Sequence, residues 1–272
     1  MRNDKRICYF FAVVSLVFTA CNLSWWDLRG WNDPILIPGD NLAAKLSWLN
    51  NQDNLYGEGG EYIVMVDADA SIDPVTLLSK IRITLLGTGG PCVISLSSDG
   101  AMFTVEDGVT LVLSGNITLR GRRNNYPSLV HVNKGGTLVM NGGTISGNTG
   151  GGVLLMNGGT FTMNGGTISG NTARYGGGVY VDGGGTVNGT VRYGTFTKTG
   201  GTIYGYSAGD TVNSNVVRDS SGTVQSDWGH AVYARIDYYS GKRKETTAGP
   251  SVNLSFFNTN GGSPIWSGEW DY

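Results

Sequence analysis

Residues 140–149, Met-Asn-Gly-Gly-Thr-Ile-Ser-Gly-Asn-Thr, recur without change at 163–172. Gly-Gly-Thr-Ile opens at Gly142, Gly165 and Gly200, at separations of 23 and 35 residues. Gly-Thr-Phe-Thr recurs at Gly159 and Gly194, and Gly-Gly-Gly-Val at Gly150 and Gly176, with Gly-His-Ala-Val at Gly229. Identical segments at a period of about 20–50 residues signal a stacked architecture in which each repeat packs on the next.

Outward from this block the repeat continues under different residues. Phe103-Thr104-Val105, the run from Val109 to Leu113, and Ile117-Thr118-Leu119 alternate apolar and polar positions. Adding 27 or 28 lands on Val130-His131-Val132, then 136–140, then Thr144-Ile145-Ser146. Alternation at period two is a strand signal, and three short strands per period make one coil of a triangular solenoid. The expected fold is therefore all-β: a right-handed parallel β-helix, the hand being that of parallel crossovers. Its inward residues are Val105, Leu111, Leu113, Val130, Val132, Leu138, Met140, Ile145, Val153, Phe161, Met163, Ile168, Val179 and Val181. Asn141 with Asn164, and Asn148 with Asn171, fall in register as corner ladders.

Composition agrees with a solenoid. The chain has 44 Gly in 272 residues. Between Lys134 and Gly205 there is no Pro and no every-third-residue spacing, which excludes collagen. A net charge of −2 with 40% apolar residues excludes disorder driven by charge. It also removes the electrostatic basis for a nucleic-acid partner. Residues 40–51 predict an N-terminal capping helix, with Leu42, Leu46 and Leu49 on one face and Asp40 or Asn41 as N-cap. Residues 40–234 hold that helix and the coils. Residues 235–272 lose the Gly-Gly-Thr pattern and read as an irregular C-terminal cap.

Residues 1–20 read as a lipoprotein signal. Arg2, Lys5 and Arg6 precede an apolar run from Ile7 to Ala20 that ends at Cys21. As a helix that run reaches about 21 Å, short of a membrane core of roughly 30 Å. Phe18-Thr19-Ala20-Cys21 resembles the bacterial lipobox, with Phe18 in place of the usual Leu. Cys21 is thus the expected lipidation site, and Trp- and Pro-containing residues 21–39 the tether. Localisation follows: the cell envelope, lipid-anchored at the outer membrane or cell surface. Cys92, alone in the body, sits in a strand-like run and reads as a buried apolar residue.

Chemistry is sparse. Asp67, Asp69 and Asp73 form the densest acidic group, a candidate cation or ligand cluster set against a solvated turn. Arg120, Arg122 and Arg123 form a basic corner, a candidate contact for anionic glycan, and Lys242, Arg243 and Lys244 another. Trp228, Tyr238, Tyr239, Trp266 and Trp270 offer rings for sugars but are expected mostly to pack in the cap. His131 reads as a surface imidazole, and with His230 it has no metal-ligand spacing. Gly205-Tyr206-Ser207-Ala208-Gly209 matches a nucleophile elbow without the helix the elbow requires. No metal site and no cofactor are expected.

The repeats, together with Leu42–Leu49, Gly229–Tyr233 and Thr246–Leu254, resemble uncharacterised spirochaetal surface lipoproteins. That resemblance implies a pectin-lyase-like parallel β-helix and no enzymatic activity. A looser likeness is to chlamydial polymorphic outer-membrane adhesins, whose Phe-x-x-Asn motif fits Phe161 and Asn164. Two readings of function remain. One is a non-catalytic, lipid-anchored surface solenoid, monomeric and adhesin-like, contacting a host or envelope glycan or protein. The other is a carbohydrate-active β-helix enzyme, lyase or hydrolase, on acidic polysaccharide. The near-identity of neighbouring coils favours the first.

The anchor is directly testable. Expressed with labelled palmitate in a lipoprotein-processing bacterium, the wild-type chain should take label and Cys21→Ser should not. Each buried acyl CH₂ contributes about 0.8 kcal/mol, so loss of the chains should also release the protein from membranes. Label persisting on Cys21→Ser would contradict the assignment.

Overall fold

The computed structural model describes residues 34–51, 59–78, 80–156, 158–187, 190–236, 241–258 and 264–271. Cys21, the signal segment and the tether as far as residue 33 lie outside them. From Pro34 onward the chain forms one compact unit, a parallel β-solenoid.

Each turn lays one strand on each of three faces. Face A runs through Glu61–Val66, Arg82–Gly87, Thr110–Ser114, Thr137–Met140, Thr160–Met163 and Thr195–Lys198. Face B runs through Ala70–Ile72, Cys92–Leu96, Ile117–Arg120, Thr144–Ser146, Thr167–Ser169 and Thr202–Ile203. Face C runs through Val75–Leu77, Phe103–Val105, Val130–Val132, Val153–Leu155, Val179–Val181 and Val232–Arg235.

The register is the one the repeat dictates: Leu138 opposes Phe161, Ile145 opposes Ile168, and Val130 opposes Val153, all parallel. Each residue is thereby stacked on its equivalent one coil away. Every expected inward residue is buried, and burying each aliphatic side chain contributes about 1.5–3 kcal/mol. The longer separation to Gly200 has a local cause. An antiparallel hairpin, Gly183–Val187 with Thr190–Tyr193, is inserted between face C of one coil and face A of the next.

Corners are where glycine is required. Gly166 has φ +85°, and a Cβ there would lie 2.6 Å from the carbonyl oxygen of Gly143 in the coil below. Both the left-handed backbone and the close approach exclude a side chain. At the B–C corner the expected ladder extends past Asn148 and Asn171. Asn125 Nδ2 donates to Asn148 Oδ1 at 2.9 Å, Asn171 Oδ1 accepts from the Asn148 N–H at 3.1 Å, and Asn171 Nδ2 donates to Asn215 Oδ1 at 3.0 Å. All four are buried, and each also donates to a backbone carbonyl of the corner or of a face B strand. The Asn141–Asn164 ladder forms too, at 2.9 Å, but on the exposed A–B corner.

Both ends are covered. Asn41, not Asp40, caps helix α1 (Leu42–Asn50), accepting from the Ala44 N–H at 2.9 Å. Leu42, Leu46 and Leu49 are buried, and Lys45 Nζ donates to the Met65 carbonyl at 2.7 Å. Residues 34–39, assigned to the tether, belong instead to the solenoid end, because Ile35–Leu36 pairs in parallel with Glu61–Val66. The C-terminal cap is not irregular. Gly241–Lys244 pairs antiparallel with face C, and Leu254–Asn258 with Pro264–Gly268 extends face A antiparallel. Lys198 marks the changeover: it takes the inward place of Met163 one coil on, and its ammonium donates to the carbonyls of Gly249 and Val252, both at 2.7 Å.

Because Ile168 is wholly buried between Ile145 and Ile203, Ile168→Asp places an unpaired carboxylate in the core. It should cost at least about 3 kcal/mol and lower the melting temperature by several degrees. An unchanged thermal transition would contradict the inward assignment.

Candidate functional site

The acidic cluster is divided by the fold. Asp67 and Asp69 lie at the A–B corner of the first coil, while Asp73 lies at its B–C corner, beyond strand Ala70–Ile72. Asp69 Oδ1 accepts from the Val93 N–H at 2.8 Å, and Asp73 Oδ1 accepts from the hydroxyls of Ser97 and Ser98, which hold its carboxyl below the usual range. These carboxylates dock one corner onto the next. Among the described residues no group of three or more His, Cys, Asp or Glu is placed to hold a metal ion.

The basic groups divide as well. Arg120 ends a face B strand and Arg123 is exposed in the corner loop that follows. Arg122 Nη1 instead donates to the Ser97 carbonyl at 2.9 Å and lies 3.5 Å from Asp99. The second basic run is absorbed by the cap: Lys244 is buried against Asp271 at 2.9 Å, and Arg243 lies 3.3 Å from Glu245. Lys242 sits over the Trp266 ring. Trp266 packs on Phe256 and Trp270 on Trp266, as expected of cap residues; Tyr238 and Tyr239 lie outside the described residues. Ser207 occupies a loop in which its N–H donates to Ser214 Oγ at 2.9 Å, and the helix of a nucleophile elbow does not follow it. Cys92 is buried, as expected.

What the structure assembles is a cleft of about 640 Å³ along face C and the B–C corner of the later coils. The outward rung of face C reads Thr104, His131, Leu154, Tyr180 and Tyr233, each in register with the next. Tyr180 and Tyr233 stack at 5.8 Å and 9° between planes. Tyr175 meets Tyr180 at 5.7 Å, and Trp228 sets its edge to Tyr175 at 5.1 Å and to Tyr233 at 5.6 Å. Trp228 thus packs behind the cleft tyrosines rather than in the cap. Corner strand Thr172–Ala173 pairs in parallel with Val216–Val217, so Arg174 and Arg218 follow paired residues in adjacent coils and line the same cleft.

Around this wall the carboxylates are engaged. Asp182 accepts from Arg235, and from the Tyr180 hydroxyl at 3.0 Å. Burial, then the Asp182 charge, pushes the Tyr180 phenol well above its ordinary range. Asp219 Oδ1 accepts from the N–H groups of Ser221 and Thr223, both at 2.9 Å, and Gln225 donates to Oδ2 at 2.6 Å. The Ser221 hydroxyl, donating to Oδ1 at 2.6 Å, and then these bonds hold its carboxyl low. His131 does point outward but is only half exposed; its Nε2 is buried with no hydrogen-bond partner, and burial lowers its pKa.

His230 is a structural imidazole. It is buried, and its Nδ1 accepts from the Val217 N–H at 2.9 Å. Glu245 accepts from the N–H groups of Gly229 and His230, both at 2.9 Å. Burial, with the nearby Arg218 charge, pulls the His230 pKa down to about 4. Burial pushes Glu245 up.

No family model, no curated protein and no solved structure matches this chain. The cleft itself was missed in the sequence, though a signal was present. Tyr175-Gly-Gly-Gly-Val-Tyr180 aligns with Trp228-Gly-His-Ala-Val-Tyr233, and Ala173-Arg174 with Val217-Arg218. Reading the repeat for its non-glycine positions would have stacked these aromatics and arginines.

The His230 shift sets a pH dependence. Between pH 6.5 and about 4 the unfolded chain binds a proton that folded His230 refuses. Its contribution is therefore intact above pH 6.5 and lost as pH falls through this window, with a slope of at most about 1.4 kcal/mol per pH unit. Glu245, raised by burial, contributes with the opposite sign. Denaturant melts across the window should show a shallower acid loss for His230→Gln than for wild type; parallel curves would contradict the buried neutral imidazole.

Proposed function

We propose that the protein is a non-catalytic, lipid-anchored solenoid of the cell envelope, an adhesin-like module that presents the face C cleft as a binding surface. The observation that carries this reading is the make-up of the cleft. Its wall is aromatic, its rim carries two guanidiniums, and the two carboxylates beside it are already bonded into the fold. A wall of in-register side chains on hydrogen-bonded coils is pre-organised, which lowers the entropy cost of binding.

Anchoring rests on Cys21 and its flanking sequence, and with it the membrane as partner and the cell surface as location. Among the described residues no helix is long and apolar enough to cross a membrane.

Two assays test the reading. Incubated with pectin, alginate and glycosaminoglycans, the purified chain should release neither unsaturated uronates nor new reducing ends. On intact expressing cells, added protease should remove the solenoid. Turnover abolished by Asp182→Asn, Asp219→Asn or the Asp67→Asn/Asp69→Asn pair would overturn the non-catalytic assignment, and full protection on intact cells would overturn surface display.

A further inference from the structure

We propose that the face C cleft binds a carboxylate-bearing oligosaccharide, its acid groups clamped by Arg174 and Arg218 and its pyranose faces laid against the tyrosine wall. This rests on the binding-module reading above and names its ligand class.

Charge is the first argument. Arg174 and Arg218 follow paired residues one coil apart, where backbones are spaced about 4.8 Å, and both side chains are exposed. Among the described residues neither forms an ion pair with a carboxylate. Asp219, the carboxylate nearest in the cleft wall, is committed to its own turn. Two like charges on adjacent rungs repel, and a carboxylate between them reverses the sign of that interaction while accepting from the guanidinium fork.

The second argument is shape. Tyr126 stands at the rim with 84% of its surface exposed, and Tyr175 and Tyr180 line the interior. Flat rings with an apolar face and a polar edge suit the C–H faces and hydroxyl rims of pyranoses. Equivalent positions on face C recur once per coil, so successive sugars of a chain meet successive rungs.

His131 supplies the third. It lines the cleft, and its Nε2 is buried with no hydrogen-bond partner. A buried polar atom left unpaired is costly, and a turn of the ring that brings it to the cleft lets a ligand hydroxyl recover that cost. Burial keeps the ring neutral. A neutral imidazole offers one donor and one acceptor, which a sugar hydroxyl can match in either role and a carboxylate only in one.

The test is calorimetric titration of the full chain, in detergent, with hexagalacturonate, its neutral hexagalactose counterpart and a hexaglutamate peptide. Hexagalacturonate should bind, weakening with added salt, and the neutral chain and the peptide should each bind at least about tenfold more weakly. Arg174→Ala/Arg218→Ala should lose about tenfold or more for hexagalacturonate, and Tyr126→Ala several-fold, with at most a small drop in melting temperature, because all three side chains are exposed and Arg218 gives up one bond, to the Gly222 carbonyl at 2.7 Å. Equal binding of the peptide would make the cleft merely cationic and overturn the proposal, as would unchanged affinity in the arginine variant. Absence of hexagalacturonate binding would overturn it while leaving the surface module standing. Binding followed by shortening of the chain would support the ligand class and sink the non-catalytic reading instead.

Discussion

Parallel in-register pairing between coils is the constraint from which the rest follows. A strand that hydrogen-bonds to its own equivalent above and below stacks like on like: Phe161 meets Phe196 at 5.6 Å, Ile145 meets Ile168, Val130 meets Val153. The core is then a set of columns rather than a jigsaw of unlike residues, and a short repeated sequence suffices to fill it. The same pairing makes the corners demanding. A residue at each corner must turn without touching the coil below, hence Gly166 over Gly143, or must satisfy buried backbone groups, hence the asparagine column from Asn125 to Asn215.

A column with no end would polymerise, because each terminal coil exposes unpaired N–H and C=O groups. The chain stops it with a change of rule at each end. Upstream, helix α1 covers the first coil and secures itself through Lys45 to a strand carbonyl. Downstream, antiparallel strands replace parallel ones, and Lys198 breaks the apolar column by turning an inward position into a donor for the cap loop. The cleft belongs to the same departure from repetition. Where coils are near-identical the surface is flat. Where the long B–C segment between Thr202–Ile203 and Val232–Arg235 enters, the corner departs from that outline, and Arg174, Tyr175 and Arg218 line a concave site.

The columns were legible in the sequence because alternation and exact repetition encode them directly; so were Leu42, Leu46 and Leu49 in the capping helix. The early strands Ala70–Ile72 and Val75–Leu77 were not, since each is only three residues long and Asp and Pro punctuation masks its alternation. Nor was the ordered C-terminal cap, whose antiparallel strands share no repeat with the coils they cover. Asp67, Asp69 and Asp73 looked like one cluster because they are close in the chain, but a triangular solenoid turns a corner within a few residues and sends neighbours to different edges. The aromatic cleft shows the converse. The pair Tyr175 and Tyr180 is distant in sequence from the pair Trp228 and Tyr233 yet adjacent in space, and the coil register unites them.

Register is therefore what most needs direct measurement. Thr144 and Thr167 are paired neighbours on face B, and Thr202 lies one coil further. Their α-carbons should be about 4.8 Å apart for one coil and about 10 Å for two, the first within disulfide reach and the second beyond it. Thr144→Cys/Thr167→Cys, oxidised and mapped by peptide mass spectrometry, should give the internal bond in high yield. Thr144→Cys/Thr202→Cys should give none. Equal yields from the two pairs, or a bond in the second alone, would contradict the in-register solenoid.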